Sequence, residues 1–322
     1  MTNTTQAQLG AVLTAGGPEL AEQLERTEER LAQVAGGHGA ELGRHAGGTL
    51  AAGGKRLRPV LVFLCAAEPD ERLVAAGAAV ELLHMATLVH DDVLDGAELR
   101  RGRATVFADG GRGAATATGD LLFARAFAEL AATGSEEAVR PLSAASSALA
   151  RGELMQRADA WSEDVTPERY VERCRLKTAS LFEASCRLGA LFGRRPGLAD
   201  SLGSFGELLG VAFQMLDDVL DVAGPSERTG KPRGADLLDG TVTLPLILAR
   251  RNDPSLSGAV RCAEEAAAVC DRIAATGALE AAREQALAHV GGAKRALEGL
   301  ELSDQRIHAL QLVAEGVVKR YA

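Results

Sequence analysis

Asp91-Asp92-Val93-Leu94-Asp95 recurs letter for letter as Asp217-Asp218-Val219-Leu220-Asp221. Each copy closes an apolar run of helical period, VELLHMATLVH before the first and LLGVAFQML before the second, and each is followed by a loop containing glycine. Positions i and i+4 share a helix face, so Asp91 points with Asp95 and Asp217 with Asp221. Carboxylates at the negative end of a helix dipole are unfavourable alone and call for a cation. A single acidic helix end is ordinary solvated surface; two identical copies on two apolar helices are not. Oxygen donors without Cys or His favour Mg²⁺, which takes one or two carboxylates and completes its shell with water and phosphate oxygens. Two facing clusters (Asp91, Asp92, Asp95 and Asp217, Asp218, Asp221) would hold a phosphate-bearing ligand between them through several metal ions.

The basic residues fit the same chemistry. The lysines are Lys55, Lys177, Lys231, Lys294 and Lys319, against a large excess of arginine. Gly53-Gly54-Lys55-Arg56-Leu57-Arg58-Pro59 sets three cations beside a flexible glycine pair, and Arg100-Arg101-Gly102-Arg103 follows the first acidic motif. Lys177-Thr178 lies within an apolar helical stretch, and Lys231 follows the second motif. An isolated surface cation means little, but cations after both acidic motifs suggest anion binding: arginine by bidentate contact, lysine as a point charge. The pattern suggests two diphosphates, one held mainly by metal and one mainly by direct cations. His84 lies seven residues before Asp91 and His90 adjoins it; of the two, His84 is the candidate for function.

Helical elements must position these groups, because strand-like alternation is almost absent. Amphipathic helices are expected at 18–35, 71–95, 119–132, 136–160, 167–193, 198–222 and 243–251. Ala-rich helices follow from about 255, broken at Gly277, Gly291–Gly292 and Gly299. Thr166-Pro167-Glu168 is a strong helix start. Loops are expected at 46–54, 96–114 and 223–240. The 322 residues have 47% hydrophobic and 3% aromatic content and a net charge of −9. That excludes a disordered chain and argues against general nucleic-acid binding, which needs a basic footprint. No linker divides the chain, so residues 1–322 read as one all-α domain with a motif-bearing core at about 45–250. The five cysteines are odd in number and lack a CxxC pair, so neither a disulfide framework nor a zinc site is expected. The N-terminus has no secretory pattern and no uninterrupted apolar run spans a membrane, which points to a cytoplasmic protein.

In their order along the chain, GGKRLRP, ELLHMATLVHDDVLD, RRG, GD at 119–120, GELMQ, KTASLFEASC, GVAFQMLDDVLD and GKPRGADLLDGTVTLP resemble the trans-isoprenyl diphosphate synthases, or polyprenyl synthetases. The resemblance implies an all-α isoprenoid synthase fold, helices around a central cavity, usually in a homodimer. It implies about three Mg²⁺ per site, with Asp91, Asp92 and Asp95 on the allylic diphosphate and Asp217, Asp218 and Asp221 opposite. Arg100, Lys177 and Lys231 would contact the allylic diphosphate. Lys55, Arg58, His84 and Arg101 would hold isopentenyl diphosphate. Thr178 and Gln214 would lie beside the reacting carbons. The implied activity is head-to-tail condensation of isopentenyl diphosphate onto an allylic diphosphate primer by a prenyltransferase.

One position departs from the family pattern: Thr241 stands where many members carry lysine, removing one diphosphate cation. Short-chain members block the product tunnel with an aromatic one turn before the first motif, whereas this chain has Ala86 and Thr87. A helix turn of ~5.4 Å matches about one prenyl unit, so an open path suggests roughly six or more units, longer than geranylgeranyl. Phe123, Phe127, Leu181 or Phe182 could set a floor elsewhere. Geranylgeranyl or farnesyl diphosphate synthesis is the alternative product range. A non-catalytic regulatory subunit would commonly lose an acidic motif. A class I terpene cyclase would leave GGKRLRP unexplained and usually has a different second metal motif.

Overall fold

A computed structural model describes residues 3–100, 102–224, 233–258 and 260–319. Fifteen α-helices run through the described residues. They are α1 (Asn3–Gly16), α2 (Pro18–Gly36), α3 (Ala40–Ala51), α4 (Leu57–Cys65), α5 (Arg72–Asp95), α6 (Val106–Ala131), α7 (Glu136–Ala158) and α8 (Pro167–Cys174). They continue as α9 (Ser180–Phe192), α10 (Ala199–Ala223), α11 (Ala235–Asp239), α12 (Leu244–Asn252), α13 (Ala263–Ala275), α14 (Ala278–Ala296) and α15 (Asp304–Lys319). The described strands are a two-residue hairpin, β1 (Leu99–Arg100) and β2 (Arg103–Ala104), with Arg100 opposite Arg103.

The architecture is helix on helix around α5. This helix is apolar on most of its circumference, and Leu73, Ala76, Ala78, Ala79, Val80, Leu82, Leu83 and Ala86 are buried. Such a helix must be covered on all sides, and α2, α4, α6 and α9 cover it. By length and composition α5 could also cross a membrane, but 67% of its apolar window is buried inside the bundle, as in a core helix. The second motif-bearing helix, α10, packs against α9 and α14. One contiguous hydrophobic cluster reaches from Val12 to Val317.

Several elements depart from the sequence reading. Residues 46–51, expected as loop, complete α3, because packing of α3 on α2 and α6 overrides the low helix propensity of Gly47-Gly48. The connection expected over 96–114 ends at Thr105, whose hydroxyl caps α6 by accepting from the Ala108 N–H at 3.0 Å. The glycines that suggested a loop there form a kink at Gly111, φ 74°. Gly291 and Gly292 do not break α14, and α1, packed against α15, has no counterpart in the expected helices. The stretch 167–193 is not one regular α-helix either: Arg175–Ala179 forms a π-helical turn between α8 and α9. Such turns insert an extra residue into the helical ladder, often at functional sites, and this one carries Lys177 and Thr178.

Candidate active site

Both acidic pentapeptides occupy the last turns of their helices, α5 and α10, and the π turn lies between them. Its two polar side chains connect to different motifs. Lys177 Nζ donates to Glu153 of α7, and its charge bears directly on Asp91. Thr178 donates from Oγ1 to Gln214 Oε1 at 2.7 Å, and Gln214 Nε2 donates to Asp218 at 2.7 Å. Two glycines permit this placement. A Cβ on Gly152 of α7 would lie 2.7 Å from the Lys177 nitrogen, and one on Gly210 of α10 would lie 2.5 Å from the Ala179 Cα. Both separations are too short for any larger residue, so α7 and α10 press the turn from two sides.

The six motif carboxylates have different surroundings. Asp92 is buried and accepts from Arg100 Nε at 2.7 Å. Asp95 is exposed and accepts from Arg157 Nη2 at 2.6 Å. Burial pushes Asp91 up to about 6; Lys177 and Arg100 oppose the rise, while Glu153 and Asp95 add to it. Asp218 is buried, with one oxygen on Gln214 and the other on the Tyr170 hydroxyl at 2.6 Å. Burial, Asp236 and Asp217 raise it to about 8 against those two hydrogen bonds. Asp221 accepts from the Asp236 backbone N–H at 3.3 Å, which ties the end of α10 to α11.

Arg157, one turn beyond Glu153 on α7, links the acids. It lies 2.9 Å from Glu153, 2.6 Å from Asp95 and 3.7 Å from Asp239, on three different elements. Asp239 also accepts from the Thr241 hydroxyl at 3.0 Å. Thr241, the departure from the family pattern, therefore sits at the edge of this network.

The donor set suits Mg²⁺. All six motif side chains offer hard oxygens, and Asp91 is a half-buried acid between the charges of Lys177 and Arg100 on one hand and Glu153 and Asp95 on the other. Among the described residues no three His, Cys, Asp or Glu side chains form a ready-made metal cage. A metal completed by substrate oxygens and water needs only one or two carboxylates.

The cationic residues divide. Arg56, one of the three cations in GGKRLRP, is structural. It adopts φ 48°, and its guanidinium is held by Glu28 of α2 and Glu81 of α5, the latter at 2.7 Å. Arg58 places its guanidinium 4.8 Å above the Phe182 ring. His84 and Arg100 share a cavity of about 290 Å³ with Arg44, His45 and Gly53, between α3, α5 and the hairpin. Lys55 is half-buried just before α4. Arg101 and Lys231 lie outside the described residues. His90 stands 3.3 Å from Asp120 and packs on Gly119. Glu153, Arg157, Tyr170 and Asp239 are the participants that the residue patterns did not single out.

The fold and motifs have clear relatives. A family model described as polyprenyl synthetase matches residues 41–275. The chain belongs to the polyprenyl synthetase family. Within that family it is 39% identical over 297 residues to heptaprenyl diphosphate synthase component 2 of Geobacillus stearothermophilus, covering 89% of this chain and 92% of that protein. The crystal structure of heptaprenyl diphosphate synthase from Staphylococcus aureus superposes with a TM-score of 0.89 at 28% identity, over 94% of this chain and 99% of that one. A polyprenyl synthase from Caulobacter crescentus, solved with calcium and isoprenyl diphosphate, matches at TM-score 0.85 and 32% identity over 98% of each chain. These superpositions assign this polyprenyl synthetase the isoprenoid synthase fold.

Proposed function

We propose that the chain is an all-trans polyprenyl diphosphate synthase that condenses isopentenyl diphosphate head-to-tail onto an allylic diphosphate. The observation that carries this is the turn at Lys177-Thr178, whose adjacent side chains bear on the two acidic motifs, Lys177 through its charge near Asp91 and Thr178 through Gln214 to Asp218. Mg²⁺, about three ions by resemblance, would supply Lewis-acid stabilisation of the departing diphosphate. Asp91 and Asp95, with Asp92 behind them, would hold metal on one side, and Asp217 and Asp221 on the other; Asp218, whose two oxygens lie on Tyr170 and Gln214, is not counted among these ligands. Lys177, exchanging Glu153 for substrate, would bind the allylic diphosphate with Arg100 and Lys231 and stabilise the charge that develops there. Lys55, Arg58, His84 and Arg101 would fix isopentenyl diphosphate so that its double bond faces the allylic carbon. Thr178 and Gln214 would stand beside the reacting carbons. Apolar walls would exclude water that would quench the allylic cation, and the proton lost on elimination would pass to the released diphosphate.

The product is proposed to exceed geranylgeranyl in length. Thr87 is half-buried on the face of Asp91, whereas Ala86 is buried about 140° away around α5. Thr87 is thus the better-placed tunnel position, and no aromatic occupies it. The proposal includes one domain built around this site, a homodimer, and a cytoplasmic location. The relative named component 2 makes a second chain worth testing as a partner. Purified protein incubated with Mg²⁺, farnesyl diphosphate and labelled isopentenyl diphosphate is expected to give products of about six or more units. Absence of incorporation with any allylic primer would reject the reading for the chain alone. Products stopping at geranylgeranyl would reject the length.

A further inference from the structure

We propose that Tyr170 and Asp218 are positioning residues that fix the direction of a hydrogen-bond chain ending on Thr178. The Thr178 oxygen then presents lone pairs, not a proton, toward the allylic carbon; this rests on the prenyltransferase reading. The chain runs through buried ground. Tyr170 is fully buried, and Asp218 and Thr178 nearly so. The Tyr170 hydroxyl donates to Asp218 Oδ2 at 2.6 Å, Gln214 Nε2 donates to Asp218 Oδ1 at 2.7 Å, and Thr178 Oγ1 donates to Gln214 Oε1 at 2.7 Å.

Each link determines the next. An ionised carboxylate only accepts, so the Gln214 atom facing Asp218 is its nitrogen, and its oxygen faces Thr178. A hydroxyl has one proton, and that of Thr178 is committed to Gln214, leaving acceptor lone pairs for anything beside it. A carbon losing diphosphate becomes positive; an acceptor stabilises that charge, whereas a donated proton would oppose it. The neutral acid can maintain the same direction by donating from Oδ2 to the Tyr170 oxygen while Oδ1 still accepts from Gln214. With the acid proton on Oδ2, the direction of the chain is the same for the neutral and the ionised carboxyl.

The second acidic motif is thereby divided between two tasks. Asp217 and Asp221 share one helix face, while Asp218 lies about 100° from Asp217 and above Gln214, its i−4 neighbour. Asp218, with both oxygens engaged inside the protein, orients Gln214 and Thr178 in place of binding metal. Tyr170, on the preceding helix α8, anchors the far end.

The experiment compares Asp217→Asn, Asp218→Asn, Asp218→Leu, Tyr170→Phe, Thr178→Ala and Thr178→Ser with the parent. Mn²⁺ binding in the presence of inorganic diphosphate is followed by electron paramagnetic resonance, and kcat and KM are measured with farnesyl and isopentenyl diphosphates. Asn at 218 can accept from Gln214 and donate to the Tyr170 oxygen, so Asp218→Asn is expected to bind Mn²⁺ like the parent and keep most of kcat. Asp217→Asn is expected to bind Mn²⁺ weakly. Tyr170→Phe and Asp218→Leu are expected to lower kcat about ten- to a hundredfold with both KM values and Mn²⁺ binding unchanged. Thr178→Ser should retain kcat, and Tyr170→Phe should add little to Thr178→Ala. Mn²⁺ binding by Asp218→Asn as weak as that by Asp217→Asn would overturn the proposal, as would an unchanged kcat in Tyr170→Phe. If Asp218→Leu does not fold, as read by melting, Tyr170→Phe decides the kinetic part. An inactive parent would reject the prenyltransferase reading instead, and the Mn²⁺ comparison would still test Asp218.

Discussion

Arg157 Nη2 lies 2.6 Å from the carboxylate of Asp95, the last acid of the first motif. The same guanidinium reaches Glu153 and Asp239, so a protein cation sits beside an acid that a metal–diphosphate complex would use. A metal approaching Asp95 competes with Arg157, and removing that competitor strengthens metal binding by linkage. Arg157→Gln is expected to tighten Mn²⁺ binding to the substrate-free protein by about tenfold, a coupling of ordinary size. Titration by electron paramagnetic resonance checks it; unchanged affinity would mean that Arg157 stays on Asp95 after metal enters.

The acid one turn before Asp95 gives a pH-dependent prediction. Burial raises Asp91 to about 6, above the ordinary carboxylate range. A raised folded-state pKa adds stability that is complete below the unfolded value near 4 and is lost as pH rises through about 6. At pH 8 the substrate-free protein therefore carries an unfavourable buried charge. Asp91→Asn is expected to raise the melting temperature at pH 8, by at most about 3 kcal/mol in stability, with little change at pH 4. The same variant should lose turnover, because a neutral amide is a poor Mg²⁺ ligand. Equal melting temperatures at pH 8 would show that Lys177 and Arg100 fully neutralise Asp91.

Product length offers a comparison between adjacent positions. Thr87 shares the Asp91 face, and its hydroxyl is satisfied by the His84 carbonyl at 2.7 Å. Ala86 is fully buried in the bundle. Thr87→Phe is expected to shorten the product by several prenyl units while maintaining turnover, as sized by chromatography of the released alcohols. Ala86→Phe is expected to cost stability, about 1–3 kcal/mol from overpacking, alongside any shortening. If both leave product length unchanged, the tunnel does not follow this face of α5, and the Phe182–Phe213 pair, with centroids 5.6 Å apart, becomes the place to look.

The chemistry was more legible in the sequence than its local scaffolding. Asp91 and Asp95 announce themselves through i, i+4 spacing at the end of an apolar run, and that pattern locates α5 and α10 closely. Arg157 carries no such signal: four residues after Glu153 on an Ala-rich helix, it reads as a solvated ion pair, and only folding brings Asp95 and Asp239 to it. The π turn was equally hidden, because one inserted residue barely disturbs the hydrophobic period over 167–193. Gly47-Gly48 and Gly110-Gly111 misled in the opposite direction. Glycine favours a break by propensity, yet the first pair stays inside α3, with nothing within 4 Å of where either Cβ would lie, and the second becomes a kink at Gly111.

Gly152 tests whether the π turn matters. It precedes Glu153 on α7, and a Cβ there would lie 2.7 Å from the Lys177 nitrogen and 3.0 Å from the Leu176 Cβ. Backbone cannot yield as a flexible side chain does, so Gly152→Ala must separate α7 from the turn or unwind it. Replacement inside a helix otherwise gains about 1 kcal/mol, since alanine is the better helix former. The expected result is a net loss of stability of about 1–3 kcal/mol, the usual cost of forcing atoms into a packed contact. Lys177 and Thr178 move with the backbone, so kcat is expected to fall at least tenfold at temperatures where the variant remains folded, since small displacements of positioning groups have large effects on rate. Urea titration and steady-state assays on the same preparation check both parts. A variant that is more stable and equally active would mean that the turn is not held by α7.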